Sequence, residues 1–244
     1  MSGHSKWSTI KRKKEKTDSQ RAKIFTKLGR EIAVAVRHGG SDPETNSRLK
    51  DSIAKARANN MPSDNVIRCI KKAEGAGNGV NYDEIVYEGY GPKGIAILVE
   101  AATDNKNRTA ADIRHYFDKF GGSLGQSGSV SFLFQKAGVI YISVPVGVEE
   151  DSVLEAALEA GAEDVEFNEE ICRITTAPND FGKVYEALEK VGYSFEEAEV
   201  QYLPQTTVKL TDEKDIIMMN RLIEMFEEND DVQNFWHNWE NDEE

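Results

Sequence analysis

The spacing of apolar residues changes period along the chain, and each change marks a new kind of element. Ile24, Phe25, Leu28, Ile32 and Val36 recur at helical intervals. Thr17-x-x-Gln20 just upstream has capping-box spacing, and Gly39-Gly40 stops the helix. Asp42-Pro43 reads as an N-cap followed by proline at a first helical position. A second stripe, Leu49, Ile53, Ala54 and Ala56, then runs to Asn59-Asn60. Met61-Pro62 breaks the pattern, Ser63 can cap again, and Val66, Ile67 and Ile70 predict a third short helix ending at Gly75. Three short helices make one small bundle.

From Tyr82 the period drops to two. Residues 84–88 and 94–100 read as a hairpin around the turn 89–93. Thr103 or Asp104 caps a helix to Phe120 with Ile113, Phe117 and Phe120 inward, Gly121-Gly122 ends it, and residues 130–134 read as a strand. Next come strand 139–144, helix 151–160, strands 164–167 and 171–176, helix 180–191 and strand 195–202. That is βαββαβ, the ferredoxin-like order. A helix over 212–228 and a strand over 232–239 follow. The segment before this unit supplies ββαβ and the segment after it supplies αβ, so one α+β domain is interrupted by another. The pattern predicts an α+β multidomain protein: an N-terminal three-helix bundle plus two ferredoxin-like α+β domains, one inserted in the other. The expected divisions are a flexible basic tail (1–20), a basic bundle (21–77), an acidic α+β domain (80–135 with 206–240) and the inserted domain (138–203).

Charge divides the chain more sharply than its elements do. Residues 1–76 hold eighteen Lys and Arg against eight Asp and Glu, although the whole chain is −13. A positive head on a negative body can steer onto phosphate while the body stays solvated. The tail carries Lys6, Lys11, Arg12, Lys13, Lys14 and Lys16 with Trp7 and Ile10 as its few large apolar residues, and is expected to be mobile when free. Its cations suit nucleic-acid phosphates, and Trp7 could stack on an unpaired base or pack on the bundle. On the first helix Lys23, Lys27, Arg30 and Arg37 fall largely off the apolar stripe, so with Arg21 they could continue the positive track. Arg48, Lys50, Lys55, Arg57, Arg68, Lys71 and Lys72 add to it. A solvated face accounts for any one of them; their collective excess favours a polyanion. Lys106, Arg108 and Arg114 form a second cluster, a candidate accessory contact, although Asp104 as an N-cap would explain much of it.

Other constellations carry no chemistry. Gly121-Gly-Ser-Leu-Gly-Gln-Ser-Gly128 resembles a phosphate cradle, but a helix precedes it and a strand follows, the reverse of what a cradle needs. Gly75-Ala-Gly-Asn-Gly79 reads as a linker. His4, His38, His115 and His237 are scattered, and Cys69 and Cys172 read as reduced buried thiols. Phe235, Trp236 and Trp239 suit alternating burial in a strand. No catalytic set, cofactor motif, metal site or small-molecule substrate site is expected. No apolar run approaches the roughly 20 residues of a membrane span, and the N-terminus lacks a secretory signal, so the cytoplasm is the expected compartment.

The motifs Gly3-His-Ser-Lys-Trp7, Lys23-Ile-Phe-Thr-Lys27, Asn59-Asn-Met-Pro62 and Tyr87-Glu-Gly-Tyr-Gly-Pro92 resemble the YebC/PmpR family. So do Thr103-Asp-Asn-Lys-Asn-Arg-Thr109, Gly128-Ser-Val130 and Glu155-Ala-Ala-Leu-Glu-Ala-Gly-Ala-Glu-Asp164, in order along nearly the full chain. Ser8-Thr9 and Arg12 depart from the common pattern without losing charge. The resemblance implies three domains and a cytoplasmic DNA-binding transcriptional regulator. It carries His4, Lys6, Trp7, Lys11, Lys13, Lys14, Lys23, Lys27, Lys106 and Arg108 as matched positions. Mitochondrial relatives look like translational activators of cytochrome c oxidase subunit I, and bacterial members have been connected with ribosomes stalled on proline-rich nascent chains. The expected partner is therefore DNA or ribosomal RNA, with the ribosome or the transcription machinery behind it. A translation factor that contacts ribosomal RNA through the same tail is the alternative to the DNA-binding regulator.

Overall fold

The structure is a computed structural model that describes residues 18–75, 81–143, 150–168 and 171–240. The described chain divides into two compact units, one of residues 18–131 with Leu210–His237, the other of Phe132–Lys209 with residues 238–240.

In the first unit, helices α1 (Asp18–Gly39), α2 (Ser47–Ala58) and α3 (Ser63–Glu74) form the bundle. Their core is Leu28, Ile32, Ala35, Val36, Leu49, Ala56, Met61 and Val66. The start of α2 differs from the sequence expectation. Asp42 and Pro43 lie in a turn whose Asp42 carbonyl accepts the Thr45 and Asn46 N–H groups, and the N-cap is Asn46. Asn46 wins because it is amphoteric. Its Oδ1 accepts the Leu49 N–H at 3.1 Å, while its Nδ2 donates to Ala35 O at 2.8 Å and Gly40 O at 2.7 Å. One buried amide thus ends α1 and begins α2. A Cβ on Gly39 would meet that amide at 2.7 Å, so the helix stop is a packing requirement as well. The third helix also differs: Ser63 is its first residue, and Pro62 holds the cap position with no side-chain bond.

The same unit contains an antiparallel sheet of order β3-β1-β2-β9, built from β1 (Asp83–Tyr90), β2 (Ala96–Thr103), β3 (Ser123–Leu124) and β9 (Val232–His237). Lys93 (φ 55°) and Gly94 (φ 81°) turn the β1–β2 hairpin. Helices α4 (Lys106–Lys119) and α7 (Glu213–Glu228) pack together over the sheet through Ile113, Phe117, Met219, Leu222 and Phe226. Phe117 meets Phe226 edge-on at 5.4 Å, and a Cβ on Gly89 would strike the Phe117 ring. Asn105, not Thr103 or Asp104, caps α4 by accepting the Arg108 N–H.

The strand expected over 130–134 is absent from that place. The buried Glu88 carboxylate accepts N–H bonds from Gly128 (2.7 Å), Val130 (2.8 Å) and Ser131 (2.8 Å). Donors committed to a carboxylate cannot join a ladder, so Ser131–Leu133 is a 3-10 turn and β3 forms earlier, at Ser123–Leu124. Burial opposes ionisation of Glu88, but these backbone bonds prevail and hold its pKa below the usual carboxylate value.

The second unit runs β4 (Phe134–Ser143), α5 (Glu150–Ala160), β5 (Asp164–Asn168), β6 (Ile171–Thr176), α6 (Phe181–Val191) and β7 (Phe195–Pro204). Its strands are antiparallel in the order β5-β6-β4-β7, the ferredoxin-like arrangement the pattern predicts. Ile140, Ile142, Cys172 and Ile174 pack against Val153, Ala157, Val184 and Leu188 of the helices. The short strands β8 (Val208–Lys209) and β10 (Trp239–Glu240) pair in parallel as a separate two-stranded sheet. The chain leaves the first unit at Ser131 and re-enters it at Leu210, so the four-stranded ferredoxin-like body is an insertion.

Asn46→Asp tests the amphoteric cap. It keeps the acceptor for Leu49 but sets a buried carboxylate against two carbonyl oxygens, so it should lower stability by about 2–4 kcal/mol. Asn46→Ala should cost less, and urea unfolding of both variants measures the order.

Candidate nucleic-acid interface

The expected tail contacts His4, Lys6, Trp7, Lys11, Arg12, Lys13, Lys14 and Lys16 lie outside the described residues, as does the Thr17 cap. The cations of α1 are described, and their placement divides them. Arg21 is exposed. Lys23 is part-exposed and pairs with Glu228 on α7 at 3.3 Å. Lys27, one turn on, is pulled by burial to a pKa of about 8, with Glu227 and Asp230 partly offsetting that loss. Arg30, one turn further, is turned inward. It pairs with Asp231, donates to Ala102 O at 3.0 Å, and lies over the Tyr82 ring at 5.1 Å. The positions Lys23, Lys27 and Arg30 thus run along one stripe of α1 that faces the acidic end of α7. Sequence reading assigned this stripe to phosphate; the structure assigns Arg30 to an internal carboxylate, because only the fold brings residues 30 and 231 together.

Asp231 is the centre of that contact. Its side chain is 7% exposed. Besides Arg30 it accepts from Arg108 (2.8 Å), Thr109 Oγ1 (2.7 Å) and Thr103 Oγ1 (3.3 Å). Burial alone would raise its pKa; the bonds from Arg108, Arg30 and Thr109 outweigh that and hold it at about 2. Arg108 is shared with Asp104 at 2.7 Å, and both bonds raise its pKa. Within the accessory cluster Lys106 pairs with Asp83 at 3.4 Å, both side chains exposed, and Arg114 is exposed. On α2, Arg48 makes a two-pronged pair with Glu84, and Lys55 pairs with Glu31 at 3.2 Å.

What stays outward lies elsewhere. Arg37, Lys50, Arg57, Arg68, Lys71 and Lys72 are exposed on the bundle. Arg68, Lys71 and Lys72 occupy a single turn and a half of α3, beside the exposed Ile67. Sequence reading named these residues only as additions to the α1 track. Their spacing away from Val66 and Ile70 was the available signal for an outward face. Among the described residues no cluster of three or more His, Cys, Asp or Glu could hold a metal ion, and no helix is long and apolar enough to cross a membrane. Burial raises the Cys172 thiol to about 12, which leaves it unreactive.

Comparison with known proteins covers almost all of this architecture. Residues 5–76 match the model of the TACO1/YebC protein N-terminal domain, and residues 82–239 match that of the TACO1/YebC second and third domain. A "probable transcriptional regulatory protein" of Acetivibrio thermocellus is 59% identical over 239 residues, covering 98% of this chain and 99% of the relative. One with the same name from Ruminiclostridium cellulolyticum is 59% identical over 244 residues, covering 100% and 98%. The crystal structure of a conserved hypothetical protein from Aquifex aeolicus superposes with a TM-score of 0.84 at 46% identity, covering 94% of each chain.

Removing one partner of a buried pair leaves the other charge unpaired, so Asp231→Asn should cost about 3–5 kcal/mol. Because the native pKa of Asp231 lies below its ordinary value, its contribution is whole above about pH 4. It fades as pH falls toward 2; acid titration of wild type against the variant should show the difference shrinking over that window. Lys27 has the opposite sign of effect. Its lowered pKa means the charged form opposes folding at neutral pH, so Lys27→Met should raise Tm at pH 7, with the gain narrowing as pH climbs from 8 toward 10.5.

Proposed function

Since the chain belongs to the TACO1/YebC family, whose similar relatives carry the name transcriptional regulatory protein, we propose that it is a cytoplasmic, DNA-binding regulator of transcription. It holds the phosphate backbone through its basic N-terminal segment and the outward faces of α2 and α3. The observation that carries this reading is the sorting of charge within the bundle. Lys27 and Arg30 are turned toward the chain's own carboxylates, while Arg57, Arg68, Lys71 and Lys72 are held outward. Lys and Arg on such a face contact phosphates and position a protein on nucleic acid without reading sequence. The same chemistry serves ribosomal RNA, and a ribosome-associated factor that relieves stalling is the alternative use of these residues.

Two measurements test the reading. Replacing Lys11, Arg12, Lys13 and Lys14 by Ala should abolish binding to a duplex probe. Arg68→Gln, Lys71→Gln and Lys72→Gln should each weaken it and reduce the log–log salt slope by about 0.7–0.9 per lost contact. Undiminished binding in both sets would refute the interface. Ultraviolet crosslinking in growing cells, with DNA and RNA sequenced from the recovered protein, separates the targets: promoter enrichment supports transcription, and ribosomal RNA enrichment lost with the tail cations supports translation.

A further inference from the structure

Lys23, Lys27 and Arg30 recur at helical spacing along α1, and each has acidic neighbours at the end of α7 or just beyond it. Lys23 pairs with Glu228 at 3.3 Å, Lys27 lies within electrostatic reach of Glu227 and Asp230, and Arg30 pairs with Asp231. Exposure changes along this stripe. The Arg30 and Asp231 side chains are 15% and 7% exposed, whereas those of Lys23 and Glu228 are 38% and 66% exposed. Glu227 and Asp230 are also exposed, and Lys27 is half-buried. That gradient separates a permanent contact from an exchangeable one. Opening a buried pair strands a charge in a dry setting, so Arg30 and Asp231 stay together. An exposed pair is weak and screened, because water takes either partner back.

Glu227, Glu228 and Asp230 stand within four positions of one another. They set closely spaced negative charge against two lysines, as successive backbone phosphates would. We propose that Lys23 and Lys27 form a phosphate-binding site that Glu227, Glu228 and Asp230 occupy in the free protein, and that the backbone of a bound nucleic acid displaces these carboxylates. This rests on the nucleic-acid reading above and adds an internal competitor to it. The exchange needs no backbone movement, since exposed side chains change rotamer within nanoseconds. The closed Arg30–Asp231 pair is the fixed point that keeps α1 beside the end of α7 throughout. Salt dependence carries the signature of such an exchange. Each phosphate neutralised releases counterions, but each carboxylate set free takes some up again, so the net release is smaller than for a lysine that starts in water.

The test compares the full-length wild type with Glu227→Gln/Glu228→Gln/Asp230→Asn, each with and without Lys23→Gln/Lys27→Gln, for affinity to a short DNA duplex and to an RNA hairpin across a salt series. Circular dichroism checks that every variant is folded. The acid-neutral variant should bind severalfold tighter at low salt, with a log–log slope steeper by up to about 0.7–0.9 for each lysine unmasked. Adding the lysine substitutions to it should abolish that gain; a gain that survives them comes from net charge alone and overturns the competitor. The unaltered chain gives a second readout. Carbodiimide joins a carboxylate directly to an amine in ion-pair contact, so the Lys23–Glu228 crosslink, read by peptide mass spectrometry, should form in the free protein and fade as a probe saturates it. The probe that removes it at the lower concentration, duplex or hairpin, is the better-fitting backbone. An unchanged crosslink at saturation, or equal affinities of wild type and acid-neutral variant, would overturn the competitor and leave nucleic-acid binding standing. Binding of neither probe by either protein would instead sink the nucleic-acid reading, and the competitor with it.

Discussion

A single buried carboxylate organises the first unit. Asp231 sits at the entrance to β9 and receives Arg30 from the bundle, Arg108 and Thr109 from α4, and Thr103 from the end of β2. Its own backbone is fixed as well, with its N–H on Asn229 Oδ1 at 2.8 Å and its carbonyl accepting the Ala102 N–H. Three elements, α1, β2 and α4, therefore converge on the carboxylate that leads into β9. An unpaired carboxylate in that position would be costly, and so would the little-exposed Arg30 without it. This pair joins the bundle to the sheet.

That constraint explains how a basic bundle can adjoin an acidic sheet without losing its outward charge. The stripe Lys23, Lys27 and Arg30 is neutralised by Glu228, by Glu227 with Asp230, and by Asp231 in turn. Arg48 is matched by Glu84. The acidic residues of the sheet unit are thus in part counter-charges to the bundle, while among the described residues Arg21 and Arg37 of α1, Lys50 and Arg57 of α2 and Arg68, Lys71 and Lys72 of α3 are exposed. Charge that appears along the sequence as one basic block is in three dimensions two populations with different work.

Element identity was legible from local pattern wherever a periodic run was long. The stripe from Ile24 to Val36 and the βαββαβ rhythm from Val139 onward are present as read. Caps were less legible, because several residues nearby could serve. Asn46 and Asn105 displaced Asp42 and Asp104 as caps, and for Asn46 the reason is visible: it alone can donate to α1 while accepting from α2. The strand expected over 130–134 failed for a non-local reason, since Glu88, some forty residues earlier, takes the N–H groups that a ladder would have needed.

The sequence by itself determined the helices and the long strands, that one α+β body interrupts another, and that the chain is basic at one end and acidic beyond. Those properties rest on spacing and composition, which act over a few residues or over none in particular. Tertiary structure alone decided which cations face outward. Lys27, Arg30 and Lys71 are chemically alike along the chain, but Arg30 finds Asp231 two hundred residues away, Lys27 is half-buried near Glu227 and Asp230, and Lys71 meets solvent. A charge acquires its role from the partner the fold brings within a few ångströms, and no local pattern encodes that partner.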